Sequence, residues 1–378
     1  MHSRPVARRR FTPGHLLVIA AIAGLVGCNG LTESPVPSTP APATAVADSP
    51  APVGKTSSRV MQVMAVQERH GRDLMRMPDV VATATGVDVD GEVVIHVYTA
   101  KEVPAARIPA QLEGVRVVQE VSGPIRALKG GPAPSVSHKA KQTPPIQLGT
   151  SGGWGRDLAN GYCCGGTLGA LVTKGGVQYI LSNYHVFESD IVAGGNGVVA
   201  TSGDPILQPG LIDVGCTAAN AQVVATLEKH SAIPGGNVDA AIAQVVPGMV
   251  RADGAILEIG TISSQTMEAL ILQLVKKSGR TTGLTRSKVS GLNAMVSVTY
   301  DNECSGGQAF TQTFNHQILV SNKRSVFLAA GDSGSLLVED VATNPRALGL
   351  LFAGSSTVAV ANPIDEVLAF FGATLVGN

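Results

Sequence analysis

The sequence predicts a mostly β protein in which a small α/β unit precedes the main β part. From Gly149 onward, short apolar and β-branched runs recur with glycine-containing turns between them, and no helical pattern interrupts them before Pro363. Strands this frequent without intervening helices indicate a sandwich or barrel rather than a parallel sheet. The chain has 44 glycines in 378 residues, with 44% hydrophobic residues, a composition typical of a glycine-turned β protein and not of a coiled coil.

The charge balance and hydropathy exclude two classes of protein. The sequence has 28 Lys+Arg and 28 Asp+Glu, for a formal charge of zero, whereas a nucleic-acid-binding protein would show a basic domain or stripe. The only long apolar run lies near the N-terminus, which excludes an integral protein with many membrane spans. We therefore expect no nucleic-acid partner.

Residues 1–27 have the pattern of an export signal. Four arginines precede an apolar segment, 16–27, that is too short to span a bilayer. The segment ends Leu25-Val26-Gly27-Cys28, which resembles the lipobox of bacterial lipoproteins and implies cleavage before Cys28 and lipid on its thiol. An ordinary secretory signal that contains a cysteine is the alternative. Removal of residues 1–27 leaves 24 basic against 28 acidic residues, and the exported protein is expected to be tethered to a bacterial membrane, facing the periplasm or at the cell surface.

Two segments rich in proline and small residues divide the rest of the chain. Residues 28–57 carry prolines at 35, 37, 40, 42, 50 and 52, and such a composition predicts an extended tether. Residues 126–148 contain Gly130-Gly131-Pro132 and Pro144-Pro145, and they predict a linker. The domains that remain are 58–125 and 149–378.

The domain 58–125 predicts one helix and three strands. A serine at 57 or 58 precedes an apolar pattern that predicts a helix reaching Met75. Asp90-Gly91 is typical of a tight hairpin turn between two β runs. The predicted strands are 80–88, 92–99 and 116–121.

The sequence of residues 149–378 predicts strands along the length of this domain and one helix near its end. The predicted strands are 167–172, 177–182, 223–227, 240–246, 272–275, 289–300, 308–320, 335–339, 347–352 and 357–361. Pro363 then opens a helix through Phe371, because proline is tolerated in the first helical turn.

The segment Gly331-Asp332-Ser333-Gly334-Ser335 is the sharpest chemical feature of the sequence. A serine between glycines lets the backbone approach a substrate, and neighbouring N–H groups can converge on a developing oxyanion. An α/β-hydrolase would need glycine at position 335 and a histidine after the serine, and the sequence has neither. The order His…Asp…Ser of a chymotrypsin-type triad can be satisfied.

The other two members of such a triad are His185 and Asp239. His185 follows an apolar strand that ends at Ser182 and Asn183, a context that would hold a general base rigidly beside a cleft. Asp239 enters an apolar strand, where burial of a carboxylate is costly unless it accepts hydrogen bonds. Asp213 is the rival to Asp239 for this position in the triad. The alternative is that Asp213 is a turn residue.

Taken together, these motifs resemble the trypsin/chymotrypsin-like serine peptidases. The motifs are Gly166-Thr167-Leu168, Leu181-Ser182-Asn183-Tyr184-His185, Val238-Asp239-Ala240-Ala241 and Gly331-Asp332-Ser333-Gly334. Two further segments, Gly279-Arg280-Thr281-Thr282-Gly283-Leu284-Thr285 and Asn362-Pro363-Ile364, bring the chain closer to the bacterial and plant branch that includes the narrow-leaf proteins. The resemblance covers residues 149–372, and residues 58–125 resemble the accessory domain of that branch.

The resemblance implies a fold and residue roles. The fold is two perpendicular six-stranded β-barrels, with the triad in the cleft between them. Ser333 would be the nucleophile, His185 its general base and then general acid, and Asp239 the group that orients His185. The N–H groups of Gly331 and Ser333 would form the oxyanion hole, and no metal or cofactor is implied.

The chain departs from the family at the substrate pocket and at activation. The position where trypsin-like members carry an aspartate is Phe327, and the pocket walls are expected to include Ala330, Phe352 and Gly354, all uncharged. The expected specificity is for apolar or small residues. No basic residue precedes a clear new N-terminus, so activation by a freed N-terminus that pairs with Asp332 is not expected. Asp332 is expected either to have another partner or to belong to an enzyme that is synthesised in its active form.

Four cysteines other than Cys28 allow three full pairings. An exported protein favours disulfides. Cys216 is expected to pair with either Cys163 or Cys164, both of which are expected in the first barrel. No spacing supports a zinc site. The sequence thus predicts a tethered serine endopeptidase, and the alternative is a non-catalytic binding or scaffolding protein on a peptidase fold.

Overall fold

The computed structural model describes residues 51–127, 137–159, 162–188, 198–300 and 309–378. The predicted signal, Cys28 and residues 29–50 of the predicted tether lie outside these ranges. In the described ranges, no helix combines the length and the apolar character needed to cross a membrane.

Twenty-one strands and three α-helices form the described part of the chain. The strands are β1 Val80–Val87, β2 Val93–Thr99, β3 Gln111–Leu112, β4 Val115–Val121, β5 Arg126–Ala127, β6 Thr150–Trp154, β7 Leu158–Ala159, β8 Tyr162–Cys163, β9 Gly166–Leu168, β10 Ala170–Lys174, β11 Val177–Ser182, β12 Pro205–Gln208, β13 Gln222–Glu228, β14 Ala241–Val245, β15 Leu274–Gly279, β16 Gly283–Tyr300, β17 Phe310–Ser321, β18 Leu336–Glu339, β19 Ala347–Gly354, β20 Val358–Pro363 and β21 Thr374–Leu375. The helices are α1 Ser58–Met75, α2 Tyr184–Phe187 and α3 Ile364–Phe371, and single 3₁₀ turns lie at Ala105–Arg107, Leu211–Asp213, Ala218–Asn220 and Lys323–Ser325.

The first barrel is built from β6 and β9–β14. Neighbouring strands pair in the order β10-β11-β14-β13-β12-β6-β9. The predicted strand 167–172 is interrupted at Gly169, where an added Cβ would lie 2.0 Å from the carbonyl oxygen of Gly334. Because only Gly169 separates β9 from β10, the sheet returns to its own first strand and closes.

The second barrel is built from β15–β20. Its strands pair in the order β15-β18-β19-β20-β17-β16, and β16 pairs with β15 to complete the ring. Six strands therefore close on themselves, and buried aliphatic residues fill both barrels. The predicted fold class, a mostly β chymotrypsin-like double β-barrel preceded by a small α/β unit, is confirmed.

The strands of residues 80–121 extend the second barrel's sheet. β1 and β2 form the predicted antiparallel hairpin, with Gly91 at φ +84° in its turn. On its other side β1 pairs with β16, with Ala82 opposite Val296, and β2 pairs in parallel with β4. Helix α1 packs its apolar face on β1 and β2, burying Val60 and Val63 completely. The separate domain boundaries assigned to 58–125 stay a prediction.

A disulfide joins Cys163 to Cys216. This bond confirms one of the two partners expected for Cys216 and ties β8 to the turn that follows Leu211–Asp213. Cys304 lies outside the described residues.

Candidate active site

The pairing of β11 with β14 brings His185 to Asp239. Ser182, the last residue of β11, lies opposite Ala241, the first residue of β14. The chain leaves β11 through Asn183 into the single turn of α2, while Asp239 lies two residues before β14. The Asn183 side-chain amide donates to the Asp239 carbonyl oxygen at 2.7 Å, which holds the two segments together.

His185 and Asp239 form a direct, buried pair. The Nδ1 of His185 lies 2.6 Å from Oδ2 of Asp239, and the His185 backbone N–H donates to Oδ1 at 3.2 Å. Asp239 has no exposed surface and His185 is 4% exposed. A proton on Nδ1 that faces an ionised carboxylate leaves Nε2 as the nitrogen able to accept a proton. Within the described residues, Nε2 is buried and makes no hydrogen bond.

Asp239 also binds two residues to which sequence reasoning assigned no role at the site. The Tyr300 hydroxyl donates to Oδ2 at 2.9 Å, and the Asp239 N–H donates to Oδ1 of Asn362 at 2.9 Å. Burial raises the pKa of Tyr300 well above its ordinary value, and the Asp239 charge acts in the same direction, so the hydroxyl keeps its proton and donates. Tyr300 ends a long strand without a local motif, and Asn362 was noticed only as part of a family segment.

Replacing Tyr300 by phenylalanine is expected to lower kcat for peptide hydrolysis about tenfold and to leave KM unchanged. A hydrogen bond to a charged group contributes about 1.5–3 kcal/mol, and the Tyr300 hydroxyl donates to Asp239, the residue that orients His185 in the proposed triad. Steady-state kinetics on a short chromogenic peptide measures both constants. Tyr179→Phe, on β11 beside Glu228, is the control and should keep the wild-type kcat. A wild-type kcat in Tyr300→Phe would contradict the positioning role.

Two glycines with positive φ shape the loop that carries Ser333. Gly331 has φ +96° and Gly334 has φ +92°, a region that disfavours residues with a Cβ. An added Cβ would lie 2.5 Å from Oγ1 of Thr281 at Gly331, and 2.3 Å from the carbonyl oxygen of Thr167 at Gly334. Both positions therefore require glycine for conformational and steric reasons.

Hydrogen bonds attach this loop to the first barrel. The Thr167 N–H on β9 donates to the Ser333 carbonyl oxygen at 2.8 Å, and the Thr167 hydroxyl donates to the Gly331 carbonyl oxygen at 3.0 Å. The Ser333 hydroxyl donates to the Phe352 carbonyl oxygen on β19 at 3.2 Å. Ser333 thus lies where the two barrels meet, bound to strands of both.

Asp332 is held by a buried lysine, Lys277. Lys277 Nζ lies 3.3 Å from Oδ2 of Asp332, and neither side chain is exposed. Burial lowers the pKa of Lys277, and the Asp332 charge opposes that shift. The backbone N–H groups of Thr281 and Thr282 donate to Oδ1 of Asp332 at 2.8 and 3.1 Å, and the Ala329 N–H donates to Oδ2 at 3.0 Å.

Lys277 answers the question that the sequence left open about Asp332. It lies on β15, in a strand predicted only as 272–275, and its ammonium group also donates to Thr282 and to the carbonyl oxygen of Gly283. The carboxylate next to the proposed nucleophile therefore has an internal cation as its partner. No local pattern in the sequence distinguishes Lys277 from the adjacent Lys276.

Asp213, the rival to Asp239, has a different partner. Its two carboxylate oxygens accept from Nε and Nη2 of Arg280, each at 2.6 Å, and Ser151 also donates to Oδ2. Arg280 is 4% exposed, so this is a nearly buried ion pair between the first barrel and the start of the β15–β16 turn. The structure brings Asp239, and not Asp213, to His185.

The residues predicted to line the substrate pocket occupy different environments. The rings of Phe327 and Phe352 are buried, at 2% and 0% exposure, and Phe352 packs edge-on against Phe314 with ring centroids 4.9 Å apart. Ala330 is half-buried, and its carbonyl oxygen accepts from the Thr281 hydroxyl. Gly354 is buried at the end of β19. The pocket assignment and the apolar or small specificity stay predictions.

Among the described residues, no group of three or more His, Cys, Asp or Glu side chains is arranged to hold a metal ion.

Comparisons relate parts of this chain to known proteins. The family model of the Nal1 C-terminal domain matches residues 236–361. No curated protein matches the sequence significantly. Solved structures that match include a glutamic-acid-specific serine protease that uses a histidine triad in substrate binding. It is 21% identical with a TM-score of 0.41, and the match covers 61% of this chain and 100% of that chain.

Two further solved structures are similar to the chain. Protease A of Thermobifida fusca is 16% identical with a TM-score of 0.40, covering 62% of this chain and 99% of that chain. The chymotrypsin of Cellulomonas bogoriensis is 18% identical with a TM-score of 0.39, also covering 62% and 99%. At these values, roles for individual residues depend on the geometry of this chain alone.

Proposed function

We propose that the protein is a serine endopeptidase that hydrolyses peptide bonds through Ser333, His185 and Asp239. The observation that carries the proposal is the buried His185–Asp239 pair, whose Nε2 is left without a hydrogen bond within the described residues. The nucleophile loop supports it, because glycines on both sides and bonds to Thr167 hold Ser333 at the junction of the barrels.

In the proposed reaction, the Ser333 hydroxyl attacks a peptide carbonyl carbon while Nε2 of His185 takes its proton. The oxygen of the resulting tetrahedral intermediate is stabilised by the N–H groups of Gly331 and Ser333. Protonated His185 then gives the proton to the leaving amine, and an acyl-enzyme remains on Ser333. Water, activated by His185 in the same way, hydrolyses this ester and restores the serine.

The test is covalent labelling by a small fluorophosphonate probe. We expect stoichiometric modification of Ser333, located by mass spectrometry, and none in Ser333→Ala. Ser335→Ala is the matched control, because Ser335 lies two residues away and its hydroxyl donates to the Asp332 carbonyl oxygen. Absence of labelling in the folded wild-type protein would favour the non-catalytic binding or scaffolding alternative.

The proposed substrate is a protein or peptide outside the cytoplasm. Export and attachment to a membrane through lipid on Cys28 stay predictions from the lipobox, since residues 1–50 lie outside the described ranges.

A further inference from the structure

One edge of β19 changes partner at the position of Ser333. Along this edge Leu350 pairs with Leu336 of β18, and the Phe352 carbonyl oxygen then accepts from the Ser333 hydroxyl. The next two residues of β19, Ala353 and Gly354, pair on this edge with β5. Their opposite edge is occupied by β20. The nucleophile therefore lies at the junction between β18 and β5.

The direction of β5 is the one that a peptide bound to the same edge would need in order to reach Ser333. Arg126 lies opposite Gly354 and Ala127 lies opposite Ala353, in an antiparallel register. The chain thus advances along β5 toward Phe352, the residue whose carbonyl oxygen binds Ser333. Any extended peptide that paired with Ala353 and Gly354 in this direction would also advance toward the nucleophile. Such strand addition is a general way to bind peptides, because main-chain hydrogen bonds provide affinity for many sequences.

β5 is short, and backbone hydrogen bonds together with the partly buried Ala127 side chain attach it to its neighbours. The Thr299 N–H on β16 donates to the carbonyl oxygen of Ile125 at 3.1 Å, and Ile125 is 1% exposed. β5 itself has only two residues, with the Arg126 side chain exposed. Just before it, the Ser122 N–H donates to the Thr99 carbonyl oxygen at the end of β2. Residues 58–125 therefore hold β5 in place from one side.

We propose that the chain's own Arg126–Ala127 occupies the edge Ala353–Gly354 as a substrate-like strand, at the place where an extended peptide would pair on its way to Ser333. The inference rests on the proposed function and assigns a role to residues 58–125, which position β5. A tethered segment competes at an effective concentration on the order of millimolar. An extended peptide must displace β5 to bind, whereas a small reagent that reacts with Ser333 alone need not.

Ala127→Pro tests the proposal, because proline removes the backbone N–H and restricts φ in a two-residue strand. Ala127→Ser at the same position keeps the N–H and is the matched control. We expect Ala127→Pro to raise kcat/KM for an extended tetrapeptide substrate about tenfold, the effect of one to two backbone hydrogen bonds. Ala127→Ser should match the wild type, and fluorophosphonate labelling rates should agree within about twofold in all three proteins.

A second measurement uses the wild-type protein and needs no variant to fold. A four-residue peptide boronate should bind Ser333 and the edge of β19, and it should raise amide hydrogen exchange in residues 122–127. Unchanged exchange at saturating inhibitor, or an unchanged kcat/KM in a normally labelled Ala127→Pro, would make β5 a permanent strand and overturn the inference. Either result leaves the proposed function standing. Absence of labelling in the wild type would remove the proposed function, and this inference with it.

Discussion

Replacing Asp239 by asparagine is expected to lower kcat for peptide hydrolysis by about 10⁴-fold with little change in KM. Asp239 Oδ2 lies 2.6 Å from Nδ1 of His185 and accepts a hydrogen bond from it when Nδ1 carries the proton. An asparagine amide can instead donate to Nδ1, which favours the tautomer with its proton on Nε2. That tautomer cannot take the proton of Ser333, so the nucleophile is not activated.

The measurement is steady-state hydrolysis of a short chromogenic peptide, with near-ultraviolet circular dichroism to verify the fold. Asp253→Asn is the control, because Asp253 forms an exposed ion pair with Arg251 and should leave kcat unchanged. A loss smaller than about tenfold in Asp239→Asn would remove Asp239 from the proposed triad.

Replacing Lys277 by methionine is expected to lower kcat by about 10²–10³-fold, the usual cost of losing an oxyanion donor. Without the ammonium group, Asp332 is a buried carboxylate that lacks its cation. Because an unpaired buried charge is costly, the loop is expected to rearrange. Gly331 and Ser333 flank Asp332, so a rearranged loop no longer aims their N–H groups at one point. The proposed oxyanion hole would be lost while the His185–Asp239 pair stays in place.

The control for Lys277→Met is the adjacent Lys276→Met. Lys276 is 5% exposed, and its ammonium group donates to the Val341 carbonyl oxygen instead of to Asp332. Lys276→Met should therefore keep kcat within a few-fold of the wild type. If Lys277→Met lowers stability too far, the double variant Lys277→Met/Asp332→Asn removes both charges and still lacks the ion pair. Wild-type activity in a folded Lys277 variant would contradict the role of this pair.

Alkaline pH provides an independent readout of Lys277. Its pKa lies below the ordinary lysine value because the group is buried, so its charge and the ion pair are lost at lower pH than for an exposed lysine. In the interval between the folded and unfolded pKa, the unfolded chain binds more protons at this group than the folded chain, so this group's contribution to stability rises with pH. The alkaline loss of activity should therefore occur without unfolding, and Lys277→Met should lack it.

Local sequence patterns predicted the elements whose signals are local. The helix through Met75 and the strand 177–182 agree with α1 and β11, since apolar periodicity and hairpin turns are encoded over a few residues. β6 was missed, because Thr150–Trp154 has two glycines and no alternation, and it exists through its pairing with β9 and β12. The polar start of β16 was missed for the same reason, since it is held by pairing with β15.

The sequence alone determined the mostly β class, the order of its elements and a short set of candidate residues, including Ser333 in a segment with glycines at 331 and 334. Only the tertiary structure decided that His185 meets Asp239, that Lys277 neutralises Asp332, and that β5 covers the edge of β19. These choices depend on which buried charges and strand edges find partners far away in sequence. The desolvation cost that enforces them exists only once the chain has folded around the pair.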